Sequence, residues 1–83
     1  MKVKEVKAIK GSAGRDSYRK EIVKVLAENG KPMLLHELPG WIRDIKELEN
    51  QGLISIGDTL PKMTILTEKG KSLVVYEAGE MQD

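Results

Sequence analysis

Helix breakers divide this chain so closely that no long helix fits anywhere in it. Asn29-Gly30-Lys31-Pro32, Pro39-Gly40, Gln51-Gly52 and the stretch from Gly57 to Pro61 follow one another at short intervals. Each joins residues that accept left-handed backbone to residues that resist continued helix. What can form between them is a set of short elements, and the apolar spacing says which kind.

The first is a helix starting near Asp16 or Ser17, either of which can accept a bond from a free N–H at the helix start. Tyr18, Ile22, Val25 and Leu26 recur at helical spacing and make one apolar stripe, with Asn29-Gly30 as the stop and Pro32 barring extension. Residues 31–35 are a short extended bridge. At most one helical turn fits around His36-Glu37-Leu38, because Pro39 disfavours helix at Leu38. A second amphipathic helix is predicted over residues 41–50. Trp41, Ile42, Ile45 and Leu48 share its inner face, and Arg43, Lys46, Glu47 and Asn50 point away. Trp41 and Tyr18 are expected in the core.

Leu53-Ile54-Ser55-Ile56 and Met63-Thr64-Ile65-Leu66 read as two strands joined by a six-residue tip. Thr67 can cap a last helix, with Leu73, Val74 and Tyr76 on its apolar side. Ahead of the first helix, Val3, Val6 and Ile9 recur at three, which suits neither a regular strand nor a long helix. Residues 1–14 are therefore expected to be a basic flexible arm or a short edge strand, with Gly11-Ser12-Ala13-Gly14 as a joint. Residues 15–78 form the domain, and residues 79–83 read as a disordered end.

The 83 residues are 40% hydrophobic, enough for one core and too apolar for intrinsic disorder. With no Cys and one His, His36, there is no disulfide framework, thiolate zinc site or two-His metal centre. No carboxylate pair flanks an evident pocket and no Gly-rich phosphate loop is present, so the chain is not expected to be an enzyme, and no cofactor or metal is expected. Apolar runs are far too short to span a membrane, and the N-terminus has no apolar signal core, so the expected location is cytoplasmic.

Charge is unevenly placed although the net is only +1. Residues 1–24 carry eight basic and three acidic side chains, while residues 25–60 carry three basic and six acidic. Lys2, Lys4, Lys7 and Lys10 form a spaced basic series, either a solvated arm or one that seeks phosphate.

Three stretches carry a family resemblance. Lys46-Glu47-Leu48-Glu49-Asn50-Gln51-Gly52-Leu53-Ile54 looks like the junction between recognition helix and wing, and Leu66-Thr67-Glu68-Lys69-Gly70-Lys71-Ser72-Leu73 looks like the end of the wing, in winged helix-turn-helix regulators of the MarR, PadR and ArsR types. Residues 22–38, with the Asn29-Gly30-Lys31-Pro32 joint, are similar to their first helix and the approach to the second. The resemblance spans roughly residues 17–77 and implies an α+β winged helix of about three helices and a two-stranded hairpin, with a shortened helix-turn-helix. It implies a transcription regulator that binds double-stranded DNA.

On that reading the DNA-binding residues are Arg43, Lys46 and Asn50 on the helix over residues 41–50, Lys62 at the hairpin tip, and Lys2, Lys4, Lys7 and Lys10 in the arm. Arg suits guanine O6 and N7, and Asn suits adenine N6 and N7. Asp44, Glu47 and Glu49 oppose phosphate, and Arg43 and Glu47 are spaced as a helical ion pair. The apolar run Val74-Val75-Tyr76 suggests a homodimer through the arm or the last helix. The alternative function is a protein-interaction adaptor whose shortened helix-turn-helix no longer reads bases.

Overall fold

The computed structural model describes residues 2–77; the sequence expectation for residues 79–83 lies outside them. The chain is a small α+β domain. In order it runs β1 (Val3–Val6), α1 (Asp16–Asn29), β2 (Met33–Leu34), a 3-10 turn (Leu35–Glu37), α2 (Ile42–Asn50), β3 (Ile54–Ile56), β4 (Met63–Leu66), the one-turn α3 (Glu68–Lys71) and β5 (Val74–Tyr76). Two antiparallel sheets result, β1-β5 and β2-β4-β3. Between and against them lies a core of Ile22, Val23, Leu26, Leu38, Ile45, Leu48, Leu53 and Ile54, with Val3, Val6 and Ile9 added from the N-terminal segment.

That segment is a paired strand and not an arm. Val3, Val6 and Ile9 are all buried, although residues three apart on a regular strand face opposite ways. The register supplies the explanation: Val3 pairs with Tyr76, but Glu5 pairs with Val75 and Val6 with Val74. One extra residue between Val3 and Glu5 bulges the strand and returns Val6 to the core side. The strand is tied down further by Val3 N–H to Glu28 Oε2 at 3.0 Å and by Ile9 N–H to Asp16 Oδ1 at 3.2 Å. The Gly-Ser segment after it is held as well, since Ser12 is buried and its Oγ accepts from Arg19 Nη1 at 3.0 Å.

α1 ends as expected, with Gly30 in the left-handed region at φ 70° and its N–H on Leu26 O. Its start differs from the sequence reading. Arg15 holds the cap position without a side-chain cap bond, because Asp16 is turned to Ile9 N–H and to Lys20, 2.9 Å away. The buried residues are Ile22, Val23, Leu26 and Ala27, a stripe rotated from the predicted one; Val25 is half-buried and Tyr18 is 51% exposed.

Pro39 and Gly40 leave room only for the 3-10 turn, and Gly40 at φ 87° packs against Ile22 before α2 begins. The hairpin forms at the expected residues, with Ile54 opposite Leu66 and Ile56 opposite Thr64. Strand β2 pairs with the other side of β4, which makes Thr64 central and fully buried; its hydroxyl donates to Met33 O at 3.0 Å, so no polar cost is left.

The predicted last helix stops after one turn. Thr67 caps it as expected, accepting from Gly70 N–H, but Val74–Tyr76 then runs out as β5 beside β1. Pairing with β1 gives this apolar run a partner inside the chain. The sequence motive for a homodimer through the last helix is thereby removed.

Candidate functional site

Two glycines and one backbone hydrogen bond aim α2. Gly40 turns the chain into it, Gly52 at φ 80° turns the chain out, and Leu53 N–H bonds back to Leu48 O at 3.0 Å. Ile45 and Leu48 lock its inner face to the core. The outer face then presents Arg43, Lys46 and Asn50, all exposed, around one shallow polar hollow shared with Glu47 and Glu49. The predicted Arg43–Glu47 ion pair is not formed: Glu47 accepts from Gln51 Nε2 at 3.1 Å, and Arg43 makes no ion pair among the described residues.

Asp44 is not an outward acid. Its side chain is fully buried and is bound by two guanidiniums of α1 and its cap, Arg15 through Nη2 and Nε, and Arg19 through Nε at 2.9 Å. Hydrogen bonds from Arg15, then those from Arg19, outweigh burial and hold the carboxyl down at a pKa of about 2; the guanidinium of Arg15 is correspondingly raised. One of the three acids expected to repel phosphate is thus neutralised inside the fold.

Trp41 is likewise out of place relative to expectation. It sits just before α2 and is 64% exposed. Arg15 Cζ lies 4.6 Å from the centre of the Tyr18 ring and 5.9 Å from that of Trp41, while Arg43 Cζ lies 5.6 Å from Trp41. The amphipathic wheel could not find this cluster, because it needs α1 and α2 side by side. The only available signal was Trp41 standing directly after Pro39-Gly40, where a helix has not yet begun.

The remaining predicted residues do not converge. Lys62, with His36, lines an apolar groove of about 540 Å³ whose other walls include Leu35, Leu38, Ile42 and Leu60. Ile42 was expected in the core and is 55% exposed; Leu60 is 84% exposed. Lys4 lies on the opposite strand pair, near Lys20 and Lys24 of α1 and interleaved with Glu5 and Glu21. Lys2 joins the β1–β5 ladder through its carbonyl, which accepts from Glu77 N–H, and Lys7 joins through its own N–H to Leu73 O. Lys10 reaches α2 by its backbone, with its carbonyl accepting from Gln51 Nε2 at 2.7 Å. The four lysines are therefore distributed along a fixed strand and its exit.

Among the described residues, no cluster of His, Asp or Glu is arranged to hold a metal ion, and no helix is long and apolar enough to cross a membrane. Comparison with protein-family models, curated proteins and solved structures finds no match.

Proposed function

We propose that this chain is a small winged-helix DNA-binding module acting as a transcription regulator, with α2 as its duplex-reading element and the β3–β4 hairpin as its wing. The observation that carries the reading is the outer face of α2. Arg43, Lys46 and Asn50 stand together and exposed, and Asp44, one of the three acids between them in sequence, is withdrawn into the core, which leaves Glu47 and Glu49 beside them. Support also comes from the order helix, strand, turn, helix, hairpin, with β2 completing the sheet beside β4. That sheet fixes the hairpin relative to α2, as an element working next to a reading helix requires.

Binding of mixed duplex DNA, followed by fluorescence anisotropy as salt is raised, tests the proposal. Affinity is expected to fall steeply with salt. Arg43→Ala is expected to weaken binding by about fivefold to a hundredfold and to relax preference at one base pair, while Lys46→Ala lowers the salt slope by about one. Deleting residues 1–14 is not a usable control, since it removes Val3, Val6 and Ile9 from the core. Replacing Lys2, Lys4, Lys7 and Lys10 with Gln keeps the strand and should flatten the slope only if the strand touches phosphate.

The adaptor reading is favoured by one observation, the exposed Ile42 and Leu60 beside the apolar groove. Failure to bind duplex even at low salt would select it.

A further inference from the structure

The only tryptophan of the chain is on the surface. Its setting limits what would cover it. Tyr18, also half exposed, lies under the same guanidinium, so two exposed aromatic rings, from α1 and the start of α2, flank Arg15. That guanidinium, Arg15, is already committed to the buried Asp44, and Asp44 N–H bonds to Trp41 O at 3.0 Å. Ring and carboxylate therefore belong to one turn of chain, the Arg15 clamp reaches them from the start of α1, and Trp41 is held in position before any partner arrives. Arg43 is different: it is exposed, 5.6 Å from the Trp41 ring, and has no acidic partner among the described residues.

A flat apolar face with an uncommitted cation at its edge is complementary to a flat ring carrying a negative charge at fixed distance. A nucleobase joined to its phosphate has that form. In an intact duplex the faces of the bases are covered by their neighbours and only edges are offered. We infer that Trp41 and Tyr18, with Arg43 beside them, form a stacking site for an unpaired nucleotide of DNA at the end of α2 that enters the duplex-reading face. The site rests on the DNA-binding reading and extends it: the preferred partner is duplex with an unpaired or extruded base, not uniform duplex.

The test compares two labelled duplexes of the same sequence, one blunt and one ending in a short single-stranded run of thymidines, with anisotropy for affinity and Trp41 fluorescence for contact. The overhang should raise affinity about tenfold and quench the fluorescence. Trp41→Ala should abolish that gain and Trp41→Phe should keep most of it; circular dichroism melts of both variants should match the parent, because the ring is exposed. Equal affinity for the two duplexes with unchanged fluorescence overturns the stacking site and leaves the duplex reading standing. Binding and quenching by single-stranded thymidines without blunt-duplex binding does the reverse. Absence of binding to every probe removes both.

Discussion

Gly70→Ala is expected to lower the melting temperature by more than about 12 °C, the equivalent of roughly 3 kcal/mol in a domain of this size. The cause is a close approach of backbone to backbone. A Cβ on Gly70 would lie 2.1 Å from the carbonyl oxygen of Leu53 and 2.8 Å from Leu66 Cδ1. The Leu66 side chain can move, but the Leu53 carbonyl cannot do so cheaply, because it accepts from Thr67 N–H at 3.1 Å. Thr67 in turn caps α3 by accepting from Gly70 and donates its hydroxyl to Gly52 O at 2.5 Å. An added methyl therefore pushes apart the exit of α2, the start of β3 and the end of the hairpin together. Gly57→Ala is the control, since its Cβ would meet only Met63 backbone at 3.7 Å and beyond. It is expected to change stability by no more than about 0.5 kcal/mol. Thermal melts of the two variants decide the matter, and equal melting temperatures would refute the close-approach account.

Asp44→Ala is expected to cost about 3 kcal/mol, because it strips two guanidiniums of their buried partner. The cost stays at the low end for a buried pair, since the side chains of Arg15 and Arg19 are 24% and 12% exposed and recover some hydration. Asp44→Asn keeps acceptor geometry on one atom and should lose less. The pH dependence follows from the same contacts. The carboxyl is lowered from 3.8 to about 2 by Arg15 first and Arg19 second, against burial. The unfolded chain therefore takes up the proton before the folded one does. The contribution of the pair is complete above about pH 4 and is lost as pH falls towards 2, so the parent should lose stability over that window. In Asp44→Asn this part of the acid limb should be missing. Asp16, lowered by Lys20 and by Ile9 N–H, adds a smaller slope of the same sign. Denaturant unfolding at stepped pH measures both, and an unchanged acid limb in Asp44→Asn would count against the buried pair.

The elements whose boundaries are set by local chemistry were legible in the sequence. Gly30 stops α1, Pro39-Gly40 reduce the middle of the domain to a 3-10 turn, Gly52 releases α2, and Thr67 caps α3. These signals act within a few residues of where they stand, through backbone conformation and single hydrogen bonds. The outward set Arg43, Lys46 and Asn50 was legible for the same reason: the helical spacing of Ile45 and Leu48 is enough to say which side of the helix faces the core.

The larger misreadings involve partners far apart in the chain. The spacing of Val3, Val6 and Ile9 has no meaning until β5 imposes a bulged register on it, and Val74–Tyr76 resembles a helix end until β1 offers it a ladder. Asp44 reads as one more surface acid until Arg15 and Arg19, more than twenty residues earlier, close over it. Trp41 and Tyr18, which helical spacing places on apolar stripes, are left outside, while Ile22, Ile45 and Leu48 take the buried positions of the same two helices. Gly70 reads in the sequence only as part of the wing-end resemblance, whereas its size is required by a carbonyl seventeen positions away, at Leu53. The order of short elements and the direction of α2 thus came from the sequence itself, since neighbouring residues suffice to set them. Which residues are sealed in, which charges are cancelled and which aromatic faces stay open were decided only when the chain closed on itself, because burial and ion pairing depend on neighbours in space.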